Sequence, residues 1–139
     1  VAPLRSGSQF SIDLRNANDV LVEQQVSEVR ALAERLMVQT GLSIEIKPVS
    51  NYAAQPFDAG CVDAVRRAAQ ALGHSHMPVI SGAGHDAIYA ARLAPAGMVF
   101  IPCKDGISHN EIEDAQPVHI TAGADVLLRV MLERAGVVV

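Results

Sequence analysis

Hydrophobic and polar positions alternate in two different rhythms along the first third of the chain. Phe10, Ile12 and Leu14 are interleaved with Gln9, Ser11, Asp13 and Arg15, the period of a half-buried strand. From residue 18 the rhythm changes. Val22, Val26, Val29, Ala33 and Leu36 recur at three- and four-residue steps, which lines them on one face of a helix. Asn18 or Asp19 can cap that helix, and Gly41 is placed to stop it. Leu42, Ile44 and Ile46 then alternate with Ser43, Glu45 and Lys47 before Pro48, predicting a second one-faced strand. Two strands and one helix make a thin core, so this βαβ unit is expected to pair with further strands or with another chain.

The run Ser50 to Phe57 breaks both rhythms and reads as a connector. Asp58 is placed to cap a helix running to Leu72, closed by Gly73, with Cys61 or Val62, Val65, Ala68, Ala69 and Leu72 inward. Met77 to Ile80 predicts a short strand, and Asp86 to Leu93 a small helix opened by Asp86. Met98 to Ile101 is apolar throughout, as in a strand covered on both sides. Pro117 can open a last helix, with Ala122, Val126, Leu127, Val130 and Met131 inward. Helices alternating with a doubly covered strand imply an α/β layer. The organisation expected is therefore residues 1–50, a connector 51–57, and residues 58–139.

Composition narrows the function. Of 139 residues half are hydrophobic and 19% charged, with a net charge of −4. Acids and bases are interspersed, which argues against a nucleic-acid binder with its basic stripe. Cys61 and Cys103 lie far apart with no CxxC spacing, so neither a disulfide framework nor a thiolate zinc site is suggested, and a reducing cytoplasm is the simplest compartment. No apolar run approaches the roughly 20 residues that span a bilayer, so no membrane partner is expected.

Two loops carry what chemistry there is. In Ser81–Ala87 (SGAGHDA), Gly82 and Gly84 flank Ala83 and let the backbone come close to a ligand. The N–H groups could hold an anionic group, with His85 beside them as donor. A Gly-rich turn with Asp86 as cap and His85 satisfied in the core is the simpler reading of these residues alone. In Lys104–Glu113 (KDGISHNEIE), His109 stands among Asp105, Ser108, Asn110, Glu111 and Glu113. Imidazole with nearby carboxylates suits zinc or manganese, the acid fixing the tautomer of the ring. One histidine does not make a zinc centre, which takes three or four protein ligands, and a solvated acidic loop explains the segment as well. His74 and His76 sit just past a helix end, where the helix dipole suffices to explain a histidine, and His119 has no evident role. Arg15 ends the first strand on its polar face. Its guanidinium can grip a carboxylate in two-point fashion, although an ion pair with Asp13 or Asp19 is the simpler reading.

The segment SGAGHDAIYAARLAPAGMVFIPCKDGISHNEIE is very similar to the signature of M20 metal-dependent amidohydrolases, in the group of N-carbamoyl-L-amino-acid hydrolases, allantoate amidohydrolases and β-ureidopropionases. AGADVLL (Ala122–Leu128) fits as well, and FSIDLR (Phe10–Arg15) resembles the strand bearing that group's carboxylate-binding arginine. The resemblance covers nearly the whole chain. It implies the C-terminal half of a small dimerisation or lid domain, followed by the C-terminal part of an α/β zinc-peptidase-like catalytic domain. It also implies that His109 is one ligand of a dinuclear zinc or manganese site, and that Arg15 grips the substrate carboxylate. Gly82, Ala83, Gly84 and His85 would touch substrate, His85 donating to the carbonyl or its oxyanion. In that family two metals activate a water that attacks a ureido carbonyl while a glutamate relays the proton.

Three departures qualify the match. The other metal ligands and the general-base glutamate have no counterpart here. The asparagine-bearing segment usual before FSIDLR is not recognisable in residues 1–8, and Glu111 stands where a proline is usual. Inactivity of the chain by itself, activity restored by an N-terminal catalytic region, and dimerisation or higher self-association are therefore expected. A non-catalytic dimerisation or binding module and another M20 amidase such as an aminoacylase are the competing readings.

Overall fold

The computed structural model describes residues 7–137, which divide into two units, Val1–Ala54 and Gln55–Val139. The N-terminal unit is built on α1 (Asp19–Thr40). The Asn18 side chain accepts the Val20 N–H at 3.0 Å, satisfying one of the donors every helix start leaves open. At the other end Gly41, at φ 70°, turns its N–H back onto the Met37 carbonyl at 3.0 Å, the left-handed closure that glycine adopts without strain. Asp19 accepts the backbone N–H of Ala54 at 2.9 Å, tying the end of this unit to its helix start. The apolar stripe is only partly used. Ala33 is buried, Val22 and Val29 are half-buried, and Val26 and Leu36 are exposed.

The C-terminal unit holds α2 (Ala59–Ala71), the short α3 (Ala87–Ala91) and α4 (Pro117–Arg134). Asp58 caps α2 by accepting the Cys61 N–H at 2.8 Å, and Pro117 opens α4 as its sequence position predicts. Gly73 and His74 close α2 by donating to Gln70 and Ala69, and Gly136 and Val137 close α4 in the same way on Glu133 and Leu132.

The helices α2 and α4 pack together through small residues. Ala64, Ala68 and Ala69 are buried, and Val126 meets Ala68 and Ala69 in the core with Val65, Val99 and Val130 around it. Residues 96–101 lie against both helices. The Ala96 carbonyl accepts from Asp58 N–H at 3.0 Å, and a Cβ on Gly97 would stand 3.1 Å from the Cβ of Cys61. On Gly123 of α4 it would stand 2.5 Å from Cγ2 of Ile101, so only glycine admits that isoleucine without movement.

The structure departs from several sequence expectations. Among the described residues no strand forms: 10–14, 42–46, 77–80 and 98–101 are non-helical but have no ladder. A strand needs a neighbour for its N–H and C=O groups, and alternation alone does not supply one. Phe10 is 81% exposed and Ile12 and Leu42 are also open; only Leu14 and Ile44 are half-buried. In the same way Val62, Leu72, Leu127 and Met131, expected inward, are exposed, while Ala64 is fully buried and was not foreseen. Asp86 precedes α3 but makes no capping hydrogen bond.

No large side chain is fully buried among the described residues.

Candidate functional site

Between Ile80 and α3 the chain forms an irregular loop that holds His85. Ser81 Oγ lies 2.7 Å from His85 Nε2 and accepts the Ala83 N–H at 3.2 Å. The Phe100 ring meets the His85 ring edge-on, with centroids 5.5 Å apart and planes at 68°. Such edge contacts orient an aromatic pair. The imidazole is thus held by a hydroxyl at one nitrogen and by a phenyl ring beside it. His85 and Ala83 are half-buried, whereas Ser81, Gly82 and Gly84 are exposed. Neither glycine of this loop is in the left-handed region, so their value is the absent side chain rather than an unusual turn. No Cβ on Gly84 would meet a neighbour within 4 Å, leaving its approach open.

The loop around His109 is built differently. Lys104–Gly106 forms a single 3-10 turn, and Asp105 and His109 both adopt positive φ, 55° and 54°. For residues with a Cβ such a conformation costs of order 1 kcal/mol or more, although aspartate and histidine tolerate it better than most. Glu113 holds the second of these. Its Oε2 accepts the His109 backbone N–H at 2.8 Å, while Oε1 lies 3.9 Å from the Cys103 thiol. Lys104 N–H donates to the Asp114 carbonyl at 2.7 Å, closing the loop at its base. The expected neighbouring acid is present, but it grips the backbone of His109 and not its ring. The imidazole itself is exposed.

Arg15 belongs to the N-terminal unit. It pairs with Asp13, its Nε donating at 3.0 Å, and both side chains are more than half exposed. Hydrogen bonding from Arg15 holds the Asp13 carboxyl below the usual carboxylate range, and the same bond raises the guanidinium above its ordinary value. An exposed pair of this kind is weak, so a carboxylate ligand can compete for the arginine.

The remaining candidates are explained by the helices. His74 donates its backbone N–H to the Ala69 carbonyl at 2.9 Å as part of the α2 closure. His76 Nδ1 lies 3.0 Å from the His74 carbonyl. Cys61 packs against Gly97, and burial, then the bond with Asp58, pushes its thiol up, away from the thiolate that nucleophilic chemistry uses. Among the described residues no three His, Cys, Asp or Glu side chains cluster so as to hold a metal. A dinuclear centre does not fit on the described residues alone.

Ser81, Phe100 and the backbone role of Glu113 were not legible in the pattern of residues. Ser81 is four residues from His85 in an aperiodic loop, and Phe100 is reached only through the fold.

Residues 5–133 match the model of peptidase family M20/M25/M40, and the chain belongs to that family. It is 40% identical to the N-carbamoyl-L-amino-acid amidohydrolase of Rhizobium meliloti over 129 residues, 93% of this chain and 31% of that protein. With the allantoate amidohydrolase of Bacillus subtilis (strain 168) the identity is 31% over 127 residues, 91% of the chain and 31% of the relative. The crystal structure of a hydantoinase/carbamoylase family amidase from Burkholderia multivorans superposes with a TM-score of 0.83 at 47% identity, covering 86% of this chain and 29% of that one. The chain therefore spans about a third of the length of the relatives it matches.

Proposed function

We propose that this chain is the C-terminal portion of a metal-dependent amidohydrolase that cleaves ureido or carbamoyl C–N bonds, with N-carbamoyl amino acids or allantoate as the substrate class. The observation that carries the reading is the held His85 in the Gly82–Gly84 loop, in a chain whose relatives include an N-carbamoyl-L-amino-acid amidohydrolase and an allantoate amidohydrolase. Residues 1–50 would be part of a small βαβ lid or dimerisation domain, and residues 58–139 part of an α/β catalytic domain. The uncovered apolar positions at Phe10, Ile12 and Leu42 are where neighbouring strands would lie, from the rest of the protein or from a second subunit.

Each residue then has a task. Arg15, acting in the active site of a partner subunit or after domain closure, exchanges Asp13 for the substrate carboxylate. The backbone of Gly82, Ala83 and Gly84 lies along the ureido group, and His85 donates to its carbonyl oxygen, a bond that strengthens as negative charge develops there. His109 would be one ligand of a zinc or manganese pair, whose chemistry is the activation of water. The described residues offer no cluster for the other ligands, and the expectation is that the chain by itself is inactive.

The test is ammonia release from N-carbamoyl amino acids and allantoate. Purified chain supplied with zinc or manganese is expected to release none, and metal-dependent release would overturn the assignment of an incomplete site. In the complete hydrolase, Arg15→Ala is expected to raise KM about 10- to 100-fold, the loss of one charged hydrogen-bonded contact. An unchanged KM would remove Arg15 from the substrate site.

A further inference from the structure

We propose that Glu113 is a positioning residue for His109. Its carboxylate holds the backbone there at positive φ and so sets the direction in which the exposed imidazole leaves the loop. This rests on the reading of His109 as a site residue. The loop contains two residues with a Cβ at positive φ, Asp105 at 55° and His109 at 54°, and they are supported differently. The turn at Asp105 is closed by main chain, Gly106 N–H donating to the Cys103 carbonyl at 3.2 Å and Ile107 N–H to that of Lys104 at 3.1 Å. His109 instead donates its N–H to Glu113 Oε2 at 2.8 Å. The carboxylate is itself anchored. Glu113 N–H donates to the Asn110 carbonyl at 3.0 Å and Ile112 N–H to Asn110 Oδ1 at 3.1 Å, a turn that brings residue 113 back towards residue 109. The bond from Lys104 N–H to the Asp114 carbonyl at 2.7 Å ties the following residue to the base of the loop, and Cys103 Sγ stands 3.9 Å from the other oxygen, Oε1. A residue with a Cβ held in the left-handed region costs about what one hydrogen bond to a charged acceptor contributes, so a single carboxylate is enough to decide the conformation. At the ordinary negative φ the Cβ of His109 would swing about the N–Cα bond and carry the imidazole away from its present direction.

The experiment measures the three-bond coupling between Hα and the preceding carbonyl carbon, large for a left-handed residue and small at ordinary negative φ. It uses the isotope-labelled 139-residue chain as the wild type, Glu113→Gln and Glu113→Ala. The wild type is expected to show large couplings at both Asp105 and His109. Glu113→Gln keeps an acceptor oxygen for the His109 N–H and should keep both. Glu113→Ala should lose the coupling at His109 and retain it at Asp105, a split that general loosening of the loop would not produce. A small coupling at His109 in the wild type, its loss in Glu113→Gln, its persistence in Glu113→Ala, or its loss together with that of Asp105 overturns the inference. The wild-type and Glu113→Gln couplings decide the matter even where Glu113→Ala does not fold. Unchanged turnover in a His109→Ala variant of the complete hydrolase would overturn the site reading of His109 and not the hold of Glu113 on its backbone, so the two failures are distinguishable.

Discussion

The two units contain helices of similar definition and very different support. In the N-terminal unit α1 runs 22 residues with a side-chain cap and a glycine stop, yet only Ala33 along it is buried. In the C-terminal unit α2 and α4 share Ala68, Ala69 and Val126, and residues 96–101 lie against both. Local signals are sufficient to start and stop a helix, whereas stability comes from what its apolar face meets. The difference also separates the candidate site residues: His85 and His109 are carried by the packed unit, Arg15 by the sparsely packed one.

The sharpest way to break this comparison is Val126→Ala. Removing two buried methyl groups should cost the C-terminal unit about 2 kcal/mol, seen as faster amide exchange in α2 and α4 with α1 unaffected. Equal acceleration in α1 would show that the two units unfold as one. Gly123→Ala follows, at about 1 kcal/mol net. A Cβ there stands 2.5 Å from Ile101 Cγ2, and the overpacking of about 1–3 kcal/mol outweighs the roughly 1 kcal/mol by which alanine favours a helix. Thermal unfolding reads the sign, and a stabilised variant would mean that Ile101 yields freely.

Asn18→Ala tests the other unit. Loss of the cap should weaken the start of α1 by about 1 kcal/mol, with exchange accelerated at its first turn and α2 unchanged.

The smallest effect sharpens the contrast between the caps. The Cys61 N–H, donating to Asp58, holds that carboxyl below its ordinary range. A group whose folded value is depressed contributes stability that is complete above the unfolded value, near 3.9, and is lost as pH falls through the folded value. Acid should therefore loosen the start of α2, while the amide cap of Asn18, which does not titrate, keeps the start of α1 in place. Per-residue exchange across that pH range checks it, and an Asp58→Asn variant should remove the difference.

Much of the helical layout was legible because its determinants are short-range. Asn18, Gly41, Asp58, Gly73 and Pro117 act through the nearest turn, so their positions in the chain mark helix ends directly. The inward faces were less legible. The pattern does not single out Ala64 and places Leu72, Leu127 and Met131 inward, because a periodic stripe says which residues share a face but not how much of it a partner covers. The strand assignments show the same limit, since alternation at Phe10–Leu14 and Leu42–Ile46 specifies a face without specifying a neighbour. The motif loops gave their candidate residues, His85 and His109, but not how these are held.

By itself, then, the sequence determined the helix boundaries, the family and the residues with chemistry to offer, since each of these rests on residue type and short spacing. Only the tertiary structure decided that Ser81 and Phe100 hold the ring of His85, that Glu113 takes the backbone of His109, and that α2 and α4 meet through alanines. The physical reason is range: caps, turns and motifs act within a few residues, while hydrogen-bond partners across a loop and the closeness of two helices depend on where the folded backbone brings atoms within 3–4 Å of each other.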